Sequence, residues 1–137
     1  MILLDTGPLV ALFDPNDQAH DACVYRFAGL QDAALRTTMP VLTEAFHFLT
    51  SRRGRPEPLR RLIADGQIVV RFGDDAELLR AFELQEQYAD LPMDFADASL
   101  VAAAETLDTT RVFTLDRRDF TTYRIRRGHR LVPVEIV

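Results

Sequence analysis

Four carboxylates fall where the sequence puts chemistry within reach. Asp5 and Asp116 each follow an apolar run, "ILL" and "VFTL". In a parallel sheet both would project from the carboxyl ends of their strands, the edge at which open α/β sheets hold their ligands. Asp97 lies in the first turn of the alanine-rich stretch "LPMDFADASLVAAAE", with Leu100, Val101 and Ala104 at the i+3, i+4 and i+7 positions of its own face. A carboxylate on an apolar stripe needs a partner, either a run of backbone amides or a cation. Glu44 occupies the early turns of "PVLTEAFHFLTSRR", on a side shared with Val41 and Phe48. All four are expected to be buried or half-buried. Brought together uncompensated, they would repel one another strongly in low dielectric or take up protons at raised pKa. A divalent cation removes that penalty, and hard oxygen donors with no convincing histidine or cysteine beside them favour Mg²⁺ or Mn²⁺ over Zn²⁺.

Each acid also has a plainer reading. Asp94 and Asp97 stand three residues apart at a helix start, the spacing of a capping box, so Asp94 is read first as an N-cap and only second as a supporting group at a site. Asp5 could simply favour the positive end of the helix that follows it. Glu44 could be a solvated helix residue. His47, one turn after Glu44, is read as a satisfied helix histidine, and His20 and His129 as surface residues. Cys23 is the single cysteine, which excludes an internal disulfide or a cysteine-rich metal site and leaves it a small core residue.

The elements that must carry these acids alternate between strand and helix. Ile2 to Leu4 reads as a strand, and Thr6 caps a helix with Gly7 and Pro8 in its first turn that runs to about Phe13. A second helix is expected from Ala19 to Leu30, then a strand in "AALRTTM", a helix from Pro40 to near Gly54, and another in "PEPLRRLIADG" that stops at Gly66. The strand "IVVRF" and the helix "DDAELLRAFELQEQYAD" precede the helix of Asp97. "RVFTLD" is a strand ending on Asp116, and "RLVPVEIV" a last edge strand, because Pro133 cannot donate to a neighbour. The pattern predicts one α/β domain over residues 1–137: a three-layer sandwich with a mostly parallel sheet of about five strands flanked by helices.

Composition narrows the chemistry. Hydrophobic residues make up 47% and charged residues 27%, so a globular core rather than disorder is expected. No apolar run suits a membrane span, and a cytoplasmic protein is expected. All 16 basic residues are arginine, so no mechanism can rest on a lysine base, Schiff base or P-loop lysine. That excludes a response-regulator receiver, and Gly7 excludes a haloacid-dehalogenase-like phosphatase, which needs an aspartate there. The net charge is −5, yet the arginines cluster, at Arg52, Arg53 and Arg55 and again at Arg117 and Arg118, and arginine is the better bidentate phosphate ligand.

Taken in order, "LLDTGPL", "TEAFHFL", "MDFADASLVAAAE" and "VFTLDRRDF" resemble the PIN-domain ribonucleases, in particular the VapC-like toxins of prokaryotic type II toxin–antitoxin pairs. The resemblance runs from residue 2 to about residue 120 and carries the family's acidic site onto Asp5, Glu44, Asp97 and Asp116, with Thr6 as the small polar residue after the first aspartate. It implies a PIN-like fold and a Mg²⁺- or Mn²⁺-dependent endoribonuclease that leaves a 5′-phosphate and a 3′-hydroxyl. Asp5, Asp97 and Asp116 would hold metal, Glu44 a second ion or water, and Thr6 would orient the site. Asp94 and Asp119 are supporting candidates, Asp119 being read first as structural although some relatives place their acid near it. Arg117 and Arg118, with Arg52, Arg53 and Arg55 behind them, are the candidates for RNA. The resemblance further implies a homodimer and an antitoxin whose apolar helix or tail lies along the helices around residues 7 to 30 and 41 to 64. The reading from a different class is a catalytically silent PIN fold that binds RNA or a protein partner.

Overall fold

A computed structural model of the chain describes residues 1–51 and 54–137. Its centre is β1 (Ile2–Leu4), three apolar residues all at 0% exposure. Strands covered on both faces are apolar throughout rather than alternating, and that is why so short a run can organise the sheet. On one side β1 pairs with β2 (Leu35–Thr38), which pairs in turn with β3 (Ile68–Arg71). On the other it pairs with β4 (Arg111–Phe113). All these pairings are parallel, so the chain must cross over between them, and helices form the crossovers.

The first crossover holds α1 (Thr6–Phe13) and α2 (His20–Ala28), the second α3 (Met39–Ser51) and α4 (Pro56–Ala64). Helix α4 ends where expected, with Gly66 at φ 73 just beyond it. Helices α5 (Asp75–Gln87) and α6 (Phe95–Thr106) then lead back to β4. Residues Ala96 through Ala104 of α6 are buried without a break. A helix that small and apolar on every side lets neighbours approach all round it, and α3, α5 and β2 do so. The expected sandwich of helices about a parallel sheet is therefore the architecture found.

After β4 the structure departs from the sequence reading. The strand expected to run to Asp116 stops at Phe113. A short helix, α7 (Arg117–Thr122), and a strand, β5 (Arg124–Arg127), occupy a stretch for which no element was expected. The single last strand is two. Arg130–Pro133 forms β6, which pairs antiparallel with β5 through a turn at Gly128, φ 60. Glu135–Ile136 forms β7, which joins β4 in parallel as the edge of the sheet. Pro133 explains the division: with no N–H it cannot continue a ladder, so one pairing ends there and another begins two residues on.

Among the described residues no helix is long and apolar enough to cross a membrane. Cys23 is buried, as expected of a small core residue. His129 is exposed, but His20 is half-buried because its Nδ1 lies 2.7 Å from the Ala11 carbonyl at the end of α1.

Candidate active site

The carboxyl edge of the sheet is where β1 has its neighbours on opposite sides, β2 by one crossover and β4 by the long one. Such a switch point leaves a crevice between diverging loops. Here a cleft of about 460 Å³ opens there, and Asp5, Glu44, Asp97 and Asp116 all line it. Asp94, Asp119 and Thr6 line it too, together with one acid the sequence reading did not single out, Asp17. The remaining walls among the described residues are Gly7, Val10, Phe48, Pro92 and Leu115.

Asp5 is 7% exposed and held at both oxygens. Its Oδ1 accepts from the Thr6 amide at 2.7 Å, capping α1, and its Oδ2 accepts from the Thr114 hydroxyl at 2.7 Å. Thr114 Oγ1 accepts in turn from the Asp116 amide at 3.0 Å. One buried threonine thus ties the first acid to the loop that carries the fourth. Burial pushes the Asp5 carboxyl up to about 6; the bonds from Thr114 and Thr6 oppose that, and the charges of Asp94 and Glu44 add to it.

Asp97 is 8% exposed on the third residue of α6, and its amide donates to Asp94 Oδ1 at 2.8 Å. Asp94 is therefore the N-cap that its spacing predicted, and it is exposed. The Asp97 carboxylate has a partner in the buried phenol of Tyr123, whose hydroxyl donates to Oδ2 at 2.9 Å. Burial first, then repulsion from Asp5 and Asp94, pushes Asp97 up to about 8, against the pull of the Tyr123 bond. Burial and the nearby Asp97 charge raise the phenol in turn, which keeps its proton in place.

Asp116 departs from expectation by being exposed. Because β4 ends three residues earlier, Thr114 turns inward and Asp116 swings outward to cap α7, accepting from the Asp119 amide at 3.0 Å. Half-buried Asp119 has its carboxyl raised, by burial and then by the Asp116 charge. Glu44 is half-buried on α3. His47 is exposed on the same helix, its ring edge-on to Phe48 at 5.6 Å.

The acids share a cleft rather than a finished chelate. Among the described residues no three His, Cys, Asp or Glu side chains stand so that they could hold a metal ion without moving. The donor chemistry nonetheless fits a hard divalent cation, since every candidate is an oxygen and the acids raise one another's pKa. The Thr6 hydroxyl, buried at the cleft, has no hydrogen-bond partner among the described residues. An orphaned buried oxygen next to crowded carboxylates is what an absent polar guest leaves behind.

Arg117 and Arg118 are exposed in the first turn of α7, beside Asp116, and the Arg118 charge partly offsets the rise of the Asp119 carboxyl. Arg55 is exposed at the start of α4 and does not line the cleft. Arg52 and Arg53 lie outside the described residues.

Sequence reasoning missed Thr114, Tyr123 and Asp17. Thr114 had a signal, standing two residues before Asp116 at the end of an apolar run. Tyr123 had none, being joined to Asp97 only through tertiary packing.

Comparison with known proteins places the fold and the family. Ribonuclease VapC26 of Mycobacterium tuberculosis (strain ATCC 25618 / H37Rv) is 29% identical over 135 residues, covering 97% of this chain and 99% of that protein. The crystal structure of Mycobacterium tuberculosis VapC20, described as a Sarcin-Ricin loop cleaving toxin, superposes with a TM-score of 0.74 at 19% identity, over 86% of this chain and 92% of that one. At that identity the likeness is one of fold. The PIN domain model matches residues 2–125, a span that takes in four of the five strands of the parallel sheet and every acid of the cleft, and the chain belongs to the PIN-domain family.

Proposed function

We propose that the protein is a metal-dependent endoribonuclease of the VapC type, the toxin of a toxin–antitoxin pair. The observation that carries this reading is the cleft at the carboxyl edge of the sheet, where Asp5, Asp97, Asp116 and Glu44 meet and where the two buried acids have carboxyls raised to about 6 and about 8. Raised acids crowded without a counter-charge are costly to a fold and useful to a site that takes up cations. A relative of matching length is named a ribonuclease, which supports RNA as the substrate.

In this reading Asp5, Asp97 and Asp116 hold Mg²⁺ or Mn²⁺, and Glu44 holds a second ion or a water. When bound, the ion supplies Lewis acidity and offsets charge on a scissile phosphodiester. The chain does the rest. Thr114 and the Thr6 amide fix both oxygens of Asp5, so the innermost acid meets its guest with no rotamer left to choose. Asp94 and Asp119 support the site as caps and as charge, Asp94 on α6 and Asp119 beside Asp116. The Thr6 hydroxyl orients what binds at the cleft. Arg117 and Arg118 sit at the rim, where they draw the RNA backbone toward a cavity that would otherwise repel it. Arg55, exposed at the start of α4, is a further candidate for the RNA backbone.

The partners follow from the same reading. On α2, Val24 is exposed and Tyr25 is 86% exposed, which suits an antitoxin lying along α1 to α4 with an apolar segment. Exposed Phe72, Leu79 and Phe82 suit a homodimer. The cytoplasm is the compartment this reading implies.

The test is incubation of the purified protein, freed of any antitoxin, with an RNA pool. Cleavage that requires Mg²⁺ or Mn²⁺, stops with a chelator, leaves 5′-phosphate ends and is lost in a folded Asp5→Asn variant supports the assignment. No cutting of any RNA by the wild type would favour a silent PIN fold that only binds.

A further inference from the structure

Tyr123 ends α7, and its aromatic side chain is 0% exposed. Its hydroxyl donates to Asp97 Oδ2 at 2.9 Å, and among the described residues no other group donates to that carboxylate. The ring has no room to turn. Tyr88 packs against it edge-on at 5.2 Å and 68°, and Phe120 at 5.1 Å and 74°. The Tyr123 amide donates to the Asp119 carbonyl at 3.1 Å, and the Tyr88 hydroxyl accepts the Arg124 amide at 2.9 Å. A phenol clamped on two sides is a fixed donor, and a fixed donor sets the rotation of the carboxylate it holds.

We infer that Tyr123 is a positioning residue: it holds one oxygen of Asp97 in the interior, leaves the other to the cleft, and locks the helix carrying Asp97 to the turn carrying Asp116 and Asp119. Asp97 sits on α6 and the other two acids on or beside α7, so nothing along the chain fixes their relative placement; Tyr123 bridges them directly. This inference rests on the reading that Asp97 holds a divalent ion.

The test compares Mn²⁺ binding by calorimetry in the wild type, Tyr123→Phe and Tyr88→Phe. Phenylalanine keeps the clamped ring and removes only the donor, whereas Tyr88→Phe removes a neighbouring hydroxyl that does not touch the acids. The expected result is Mn²⁺ affinity lower by about tenfold or more in Tyr123→Phe, with Tyr88→Phe close to wild type and both variants keeping a cooperative melting transition. Wild-type affinity in Tyr123→Phe, or an equal loss in Tyr88→Phe, overturns the inference while leaving the metal site intact. Absence of Mn²⁺ binding in the wild type overturns the underlying reading and this inference with it. A second measurement needs no variant. In wild-type protein a Tyr123 hydroxyl proton held by Asp97 gives a slowly exchanging downfield NMR resonance that moves when Mg²⁺ is added, and a resonance indifferent to Mg²⁺ counts against the bridge.

Discussion

Asp97 concentrates the argument at the scale of single residues. Its apolar face was legible in the sequence, since Leu100, Val101 and Ala104 follow at helical spacing, and so was the need for a partner. The partner itself was not, because Tyr123 lies 26 residues away and reaches Asp97 only through the packing of α6 against the end of α7. The same holds for Thr114, which touches Asp5 across 109 residues of chain. Acids reveal themselves by type and place, but their neutral hydrogen-bond partners do not. Two predictions belong here. Asp97→Asn removes a carboxylate that no other group replaces, so RNA cleavage should fall by about 100-fold or more while circular dichroism shows the fold retained. Thr114→Val deletes the donor to Asp5 and the acceptor for the Asp116 amide, and denaturant unfolding should show a loss of about 1–3 kcal/mol. Asp5 should then titrate higher than about 6, because the bond that opposes its burial is gone.

At the scale of elements, the strands and helices from Ile2 to Thr106 were readable because each is a short apolar or amphipathic run bounded by a proline, glycine or aspartate. The segment after β4 was not. "RRDFTTYRIRRGHR" is too polar to show a period, and α7 and β5 exist because Phe120, Tyr123 and Ile125 anchor them to the core. Glu105 secures the far side of this unit, accepting from Arg80 at 2.7 and 2.9 Å and from the Arg126 amide at 3.1 Å. Asp94 allows the capping and electrostatic roles of one side chain to be separated. Asp94→Ala should cost about 1 kcal/mol through the lost N-cap of α6. Asp94→Ser keeps a capping oxygen without the charge, so stability should be retained and the carboxyls of Asp5 and Asp97 should titrate lower, as NMR of the two aspartates can establish. Equal destabilisation by Ala and Ser would mean that the cap is not what Asp94 supplies.

For the molecule as a whole, the crowded cleft makes stability depend on pH and on cations. Asp5 and Asp97 have folded pKa values of about 6 and about 8, raised from an ordinary 3.8. Over that interval the folded chain holds protons that the unfolded chain has released, so stability falls as pH rises. The penalty is absent below about pH 4 and complete above about pH 8. Without metal, the melting temperature should therefore drop between pH 5 and pH 8.5 by several degrees, about 2 kcal/mol or more. Asp97→Asn should flatten that slope, and Mg²⁺ should raise the melting temperature more at pH 8.5 than at pH 5, because a cation binds the deprotonated acids. A melting temperature independent of both would contradict the crowding. The global architecture was the most legible feature of all, since alternation of strand and helix with an acid after each of two central strands leaves few ways to fold.

The central claim is that these acids close on a divalent cation. The most direct measurement is anomalous diffraction from crystals grown with Mn²⁺. The account predicts a peak in the cleft bounded by Asp5, Asp97 and Asp116, absent in Asp97→Asn. Well-occupied crystals with no peak there, or with manganese bound only elsewhere on the surface, would contradict it.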